Sequence, residues 1–530
     1  MWHSMWSILT CQTSSARPEN FRTIIGRMRQ GETSKEIAVI INCCHHQFSH
    51  ILPGREIETL NMNADRLIDA LKAQAEGLEV LGRQDSKFDD RCLYYNRSLN
   101  YLPLAIVRPT KADQVSKVVS FCTAQNIPLA VRSGGHDFYG RSLVDNGVVV
   151  DMRSLSSVNV ADDQKSASVG GGVIAGDLQQ ALAKHGLFTP TGQAKTVGYV
   201  SWACGGGYGF YVGTYGFGVD QILGARVVLA DGRIRDTDHD KELLWALRGA
   251  GAGTFGIIVE LRVKVYPTPK IYAGFLAFPI SEASAVLEQF QQMNADGDIP
   301  DAFSGDAIVA NPEMLQLTVK AEPAYIFYWC WTAVQGDLSE ARAYLRKMES
   351  FGTILINTIQ ETTPAAFGGG DSSSPTYFRS CNFTDVLPDV GKVLALNPPP
   401  QTLSAVVVHN NHGKGVRQDI KDGIGVAFPN RRRHVILGLH GGTHENAHND
   451  RDALGESTAW VRHLQKQLSS LNCHLKERFP AFCSPDDVDS TTFFGLDAAR
   501  RLSRLKAKLD PNNVFNKAFP RLMATSTATT

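Results

Sequence analysis

One stretch constrains this chain more than any other. It is Arg132-Ser133-Gly134-Gly135-His136, continuing as Asp137-Phe138-Tyr139-Gly140, directly after the apolar run 127–131. A strand that ends in two adjacent glycines turns sharply and leaves backbone N–H groups pointing above its end. Such donors suit a pyrophosphate, and the histidine is held beside whatever they bind. Upstream, residues 104–107 read as a strand. Thr110 reads as the N-cap of a helix, with Asp113 three residues on. Val115, Val118, Val119 and Cys122 then recur at helical spacing. The pattern is a β–α–β unit with its ligand loop after the second strand. Taken alone, His136 also fits a turn residue or a hydrogen-bonded core group.

The rest of the chain divides by texture. Residues 1–54 show no period and read as a mobile or poorly specified tail. Their Cys43-Cys44-His45-His46 cluster cannot easily supply metal geometry from adjacent positions, so no metal site is expected. After the ligand loop come strands at 147–151 and 166–170. A helix with Ile174, Leu178, Ala181 and Leu182 on one face follows, then a second glycine-rich stretch at 191–209. Residues 222–235 read as two strands joined at Asp231-Gly232. A strand at 256–266 ends at Pro267 and Pro269. From 270 to 490, alternating apolar runs such as 324–331 and 403–409 are interleaved with helix-like stretches, which indicates an α+β region with an antiparallel sheet. Residues 368–374 read as a flexible loop. The last helix carries Leu502, Leu505 and Leu509, and Asp510-Pro511 stops it.

Composition excludes several classes. Lys plus Arg (53) equals Asp plus Glu (53), so there is no electrostatic footprint for nucleic acid or an anionic membrane. No run of about 18 apolar residues is present to span a bilayer. At 530 residues and 43% hydrophobic, the chain has ample core. The cysteines form no C-x-x-C pair. The N-terminus has a short apolar core with no basic residue before it. It therefore favours the cytoplasm over secretion and leaves the compartment open. Asn96-Arg97-Ser98 and Asn382-Phe383-Thr384 fit the glycosylation pattern at about the frequency chance supplies.

The R-S-G-G-H stretch resembles the flavin-attachment loop of FAD-linked oxidases of the berberine-bridge-enzyme type. In that family the histidine is bonded to the 8α-methyl of the isoalloxazine. A second constellation strengthens the resemblance: 192–199, with Gly205-Gly206-Gly207-Tyr208-Gly209 beyond it, is similar to the family's G-x-C-x-x-V-G…G-G-G-Y-G. A third is Lys506 to Phe515, similar to the closing K-x-x-x-D-P-x-N-V-F. The resemblance implies an α+β, two-domain vanillyl-alcohol-oxidase/PCMH-type flavoprotein. An FAD domain at 98–269, with 55–97 leading into it, would precede an antiparallel-sheet substrate domain at 270–490. A C-terminal segment, 491–530, would return to the FAD domain. The residues implied to hold FAD are Arg132, Ser133, Gly134, Gly135, His136, Val197, Gly198, Gly205, Gly206, Ile257 and Asn513. Gly251-Ala252-Gly253-Thr254-Phe255-Gly256 matches G-x-G-x-x-G but is not a nicotinamide fingerprint. That motif follows a strand and opens a helix, and here a helix-like segment precedes and a strand follows.

The chain departs from the family at two places. Bicovalent members bond a cysteine of the second motif to the flavin, and Ala194 stands there, so the expected linkage is through His136 alone. Cys204 is not promoted in its place. Relatives also carry a tyrosine before F/Y-G-x-N, and the match here is Phe493, with Asp497 for the asparagine. The catalytic base is therefore unassigned. His409, His412 and His440 lie near predicted strands and read mainly as structural. The expected activity is hydride transfer from an alcohol, amine or activated C–H of a small natural-product-like molecule, with oxygen reduced to hydrogen peroxide. Three other readings stand beside it: a carbohydrate oxidase, a dehydrogenase using another acceptor, and an FAD-holding cyclase, isomerase or inactive binding protein. Oligomeric state is not legible.

Overall fold

A computed structural model describes residues 64–522, apart from 93, 296–298, 318–321, 370–372, 386, 445–450, 477–478 and 485–486. The 1–54 tail and its Cys43-Cys44-His45-His46 cluster lie outside the described residues.

The first layer is a small mixed sheet. Strands β1 (Glu79–Gly82), β2 (Ala105–Arg108), β3 (Leu129–Arg132) and β4 (Val148–Asp151) lie in the order β1-β2-β4-β3. β4 runs parallel to both β2 and β3. Its four residues and the first three of β2 are buried, as parallel strands covered on both faces require. Helices α1 (Ala64–Gln74) and α2 (Ala112–Ala124) accompany it, and α2 buries Val115, Val118, Val119 and Cys122. The α2 N-cap is Lys111, which makes no side-chain cap, so the expectation for Thr110 is corrected. Gln114 reaches back to accept the Thr110 N–H at 2.8 Å and satisfies that end instead.

An antiparallel sheet follows, in the order β5-β6-β10-β8-β9. Its strands are β5 (Val158–Val160), β6 (Ser166–Gly170), β8 (Ile222–Val228), β9 (Ile234–Asp236) and β10 (Ile257–Lys264). Gly232, at φ +82, makes the β8–β9 turn. Between β6 and β8 lie α3 (Ala175–Ala183), the two-residue β7 (Leu187–Phe188) and α4 (Tyr199–Cys204). α5 (Lys241–Ala250) precedes β10. β11 (Tyr266–Pro267) pairs β7.

Among the described residues the large sheet comprises nine strands. They are β12 (Lys270–Pro279), β13 (Ala307–Ala310), β14 (Ala324–Ala333), β15 (Ile356–Asn357), β16 (Gln360–Thr362), β17 (Thr376–Phe383), β18 (Ala405–Asn411), β19 (His434–Gly442) and β20 (His474–Leu475). All of its pairings are antiparallel. Helices α6 (Ala283–Met293), α7 (Ser339–Met348), α8 (Pro388–Leu396) and α9 (Arg451–Ser469) pack one face. The period of two then decides what the other face shows. Val406 and Val408 of β18 join the helix-side core, and Val407 and His409 face the opposite way, into a cavity. Two closing helices, α10 (Ser490–Phe494) and α11 (Leu496–Leu509), precede the end of the described chain.

Asn96 and Asn382 are buried, at 3% and 1% exposure, so the folded surface offers neither as a glycan acceptor. The predicted flexible loop at 368–374 is tied at its start: Gly369 N–H donates to Gln193 O at 2.9 Å. Residues 370–372 of that loop lie outside the described residues.

Candidate functional site

The cavity, about 380 Å³, opens where the two glycine-rich loops meet the large sheet. Gly134 and Gly198 make that meeting possible. A Cβ on Gly134 would come within 2.3 Å of Gly198 N and 2.5 Å of Thr196 O, so only glycine lets these backbones touch. Ser133 Oγ donates to Gly171 O at 3.1 Å. His136 Nε2 lies 2.6 Å from Thr196 Oγ1, and its ring stacks on Tyr95 with centroids 4.5 Å apart. Beyond the loop, Arg141 pairs with Asp137 and donates to Pro480 O and Ala481 O, both at 3.2 Å. The 480–481 turn is thereby drawn over the cavity.

Segment 249–257 forms another wall. α5 unwinds at Arg248 and Gly249 (φ +131), where a Cβ would strike Phe428 N at 2.5 Å. The buried Arg248 guanidinium fixes the break, donating to Ile222 O at 2.8 Å and to Asp422 at 2.7 Å. The chain then runs along the cavity through Gly253 before entering β10. No neighbour lies within 4 Å of where a Gly253 Cβ would be, so the backbone there stands against open space. The G-x-G-x-x-G match thus follows a helix and precedes a strand.

The C-terminal segment closes the far side. Lys506, 1% exposed, donates to Asp510 Oδ2 at 2.6 Å, Phe515 O at 2.7 Å and Thr254 O at 2.8 Å. Asp510 in turn accepts the N–H groups of Val514 and Phe515. This is the physical content of the K-x-x-x-D-P pattern. It coils the turn after α11 so that Phe515, Lys517 and Phe519 line the cavity.

Of the residues singled out from sequence, Ser133, Gly134, Gly135, His136, Val197, Gly198, Gly205 and Ile257 line the cavity, as does Ala194. Arg132, Gly206 and Asn513 do not. Arg132 lies beneath the loop, donating to Arg91 O and sitting over the Tyr94 ring. Gly206 packs against Phe428 and Phe479, and Asn513 (φ +51) shapes the Asp510 turn. Cys204 is fully buried and outside the cavity wall, and burial pushes its thiol up to about 12. Among the described residues no cysteine lines the cavity, and no cluster of metal-ligating groups or membrane-spanning helix is found.

Phe493 packs on Phe494 and Phe428, off the cavity wall, and Asp497 is exposed. The aromatic groups facing the cavity from this part of the chain are Phe479, Phe482 and Phe494, none with a hydroxyl. Polar side chains lining the cavity include Gln193 and Tyr208 of the second glycine-rich loop and, from the large sheet, His409 and His440. Sequence reading missed Tyr208 as a partner of His409. Tyr208 Oη lies 3.2 Å from His409 Nε2, and burial pushes that hydroxyl well above its ordinary value. Burial, with the neighbouring His440 adding to it, pushes His409 down to about 3; burial pushes His440 down to about 4. His412 faces away from the cavity, hydrogen-bonded to Ser304 O. His409 Nδ1 is buried with no partner in the protein, which leaves a polar atom for a bound group. That orphan, together with the bare backbone at Gly253, fits an elongated cofactor with both polar and planar parts.

Fold and cavity together define a two-domain α+β flavoprotein that binds FAD. Residues 103–238 match the FAD binding domain family. Over 492 residues the chain is 31% identical to FAD-linked oxidoreductase aurO of Gibberella zeae, covering 90% of this chain and 92% of that protein. It is 36% identical over 236 residues to (R)-6-hydroxynicotine oxidase of Paenarthrobacter nicotinovorans, which covers 43% of this chain and 51% of that one. Among solved structures, 6-hydroxy-D-nicotine oxidase of Arthrobacter nicotinovorans superposes with TM-score 0.71 at 23% identity, over 84% of this chain and 98% of that one. A variant of berberine bridge enzyme superposes with TM-score 0.73 at 18% identity, over 87% of this chain and 100% of that one. The chain belongs to the berberine-bridge-enzyme-like family of FAD-linked oxidoreductases.

Proposed function

We propose that this oxidoreductase is an oxidase carrying its FAD on His136 alone. Bound there, FAD would supply a hydride acceptor for a substrate C–H bond and a route for the two electrons to oxygen, giving hydrogen peroxide. The observation that carries the reading is the surroundings of His136. The imidazole is clamped between Thr196 and Tyr95, and Ala194, which has no nucleophile, lines the same cavity at the position where bicovalent relatives carry the bonded cysteine. Val197, a small side chain in the same wall, favours access of oxygen.

Tyr208 and His409 take the substrate proton in place of the missing phenol. As Tyr208 Oη accepts that proton, it hands its own to His409 Nε2. Burial keeps both groups neutral at rest, and the relay ends with the proton and its charge on His409. The substrate is an alcohol, an amine or an activated C–H of a small natural-product-like molecule, in secondary metabolism. Relatives named (R)-6-hydroxynicotine oxidase and tetrahydroberberine oxidase support a small substrate and oxygen.

Acid denaturation followed by gel electrophoresis tests the anchor. Yellow fluorescence should stay with the wild-type polypeptide and vanish in His136→Ala, and free flavin released from the wild type refutes the bond. Oxygen uptake with any compound that bleaches the flavin separates an oxidase from a dehydrogenase.

A further inference from the structure

A second polar system abuts the cavity, centred on Asp306 in the turn ahead of β13. Gly305 (φ +71) sets that turn, and a Cβ there would come within 2.7 Å of Asn410 Nδ2, so the acid is pressed against β18. Asp306 is 3% exposed. Its Oδ1 accepts the Asn410 N–H at 2.8 Å, and its Oδ2 accepts from Gln193 Nε2. Gln193 lines the cavity directly before Ala194, and Asn410 directly follows His409. One carboxyl therefore joins the loop expected to hold the cofactor to the strand that carries His409. No lysine or arginine pairs with it among the described residues.

We infer that Asp306 is a positioning residue whose protonation turns the Gln193 amide over, so that the cavity meets either a hydrogen-bond acceptor or a donor at that point. A carboxylate only accepts. It holds the Gln193 NH2 and leaves Oε1 to the cavity. A protonated carboxyl donates from Oδ2, so Oε1 becomes its partner and the NH2 turns to the cavity. The Asn410 N–H keeps its acceptor, Oδ1, in both states.

Burial without a counter-charge pushes Asp306 up to about 8, against the pull of its two N–H donors. The titratable groups facing it are Tyr208, His409 of β18, and Tyr325, Tyr328 and Cys330 of β14. Burial raises the three tyrosines and the thiol beyond the neutral range and lowers His409 below it. Between about pH 5 and 9, Asp306 alone in this cluster changes charge.

The inference rests on the cavity being the flavin site, and the test separates the two. Wild-type holoenzyme titrated from about pH 6 to 9.5 should show a one-proton step in flavin absorbance near the Asp306 midpoint. KM should change about tenfold across the step, the effect of one hydrogen bond, with kcat little altered. Asp306→Asn should be flat in both while keeping full flavin content. Gln193→Leu, which keeps the acid but removes the amide, should lose the absorbance step yet keep the wild-type fall in melting temperature with rising pH. A step that persists in either variant, or a flat wild type, overturns the inference. If Asp306→Asn does not fold, Gln193→Leu decides. Loss of flavin from every form refutes the cofactor reading, and the melting-temperature profiles still judge Asp306.

Discussion

Tyr208 stands in the G-G-G-Y-G stretch, yet its partner lies 201 residues away on β18. At the residue scale, that distance explains what sequence could and could not supply. Ser133 to His136 are adjacent, so their turn geometry and chemistry are readable together. Gln193 and Tyr208 of one loop, Asp306 and His409 come from three separate segments and acquire a joint meaning only when the large sheet is laid against the loops. Phe493 stands where the motif would place a phenol, but it points into the core, and the cavity presents Phe482 instead. Tyr208→Phe removes the only hydroxyl paired with His409 among the described residues. It should lower kcat by about 10²-fold, the lower end of what general acid–base catalysis contributes, with KM and flavin content little changed. Steady-state kinetics with a flavin-bleaching substrate check it.

At the element scale, α11 shows how an ordinary helix end does positional work. Its apolar side, Leu502, Leu505 and Leu509, is visible from spacing, as is the stop at Asp510. What spacing does not convey is that Lys506 and Asp510 are both fully buried and fasten the cavity-lining turn to Thr254. Lys506→Met leaves the Asp510 carboxylate buried without its cation. It should destabilise the protein by about 3–5 kcal/mol, seen as a lower urea midpoint with unchanged slope. Arg501, which pairs with Glu242 at 2.6 Å at an exposed edge of the same helix, should matter far less. The α2 cap teaches the same lesson in reverse. Thr110 has the right residue type for a cap, but the helix starts one residue later and a glutamine closes the turn.

At the scale of the whole molecule, buried titratable groups set a stability optimum. His409, His412 and His440 are held below their unfolded value near 6.5. Their contribution is complete above about pH 6.5 and is lost as pH falls, because the unfolded chain takes up protons that the fold refuses. Asp306 has the opposite sign. The unfolded carboxyl ionises near 4 while the folded one holds its proton to about 8, so stability falls as pH rises across that window. Each group changes stability by at most about 1.4 kcal/mol per pH unit, so three histidines outweigh one acid below about pH 6.5. Melting temperature should peak near pH 6.5, and Asp306→Asn should shift the peak upward. Thermal unfolding across pH measures both. By itself, the sequence determined the class: local glycine turns, strand alternation and helix spacing act over a few residues, and they carried the fold, the cofactor and the family. The tertiary structure alone decided which polar groups meet at the cavity and in what charge state, because burial and long-range contact are properties of the packed chain and not of any segment.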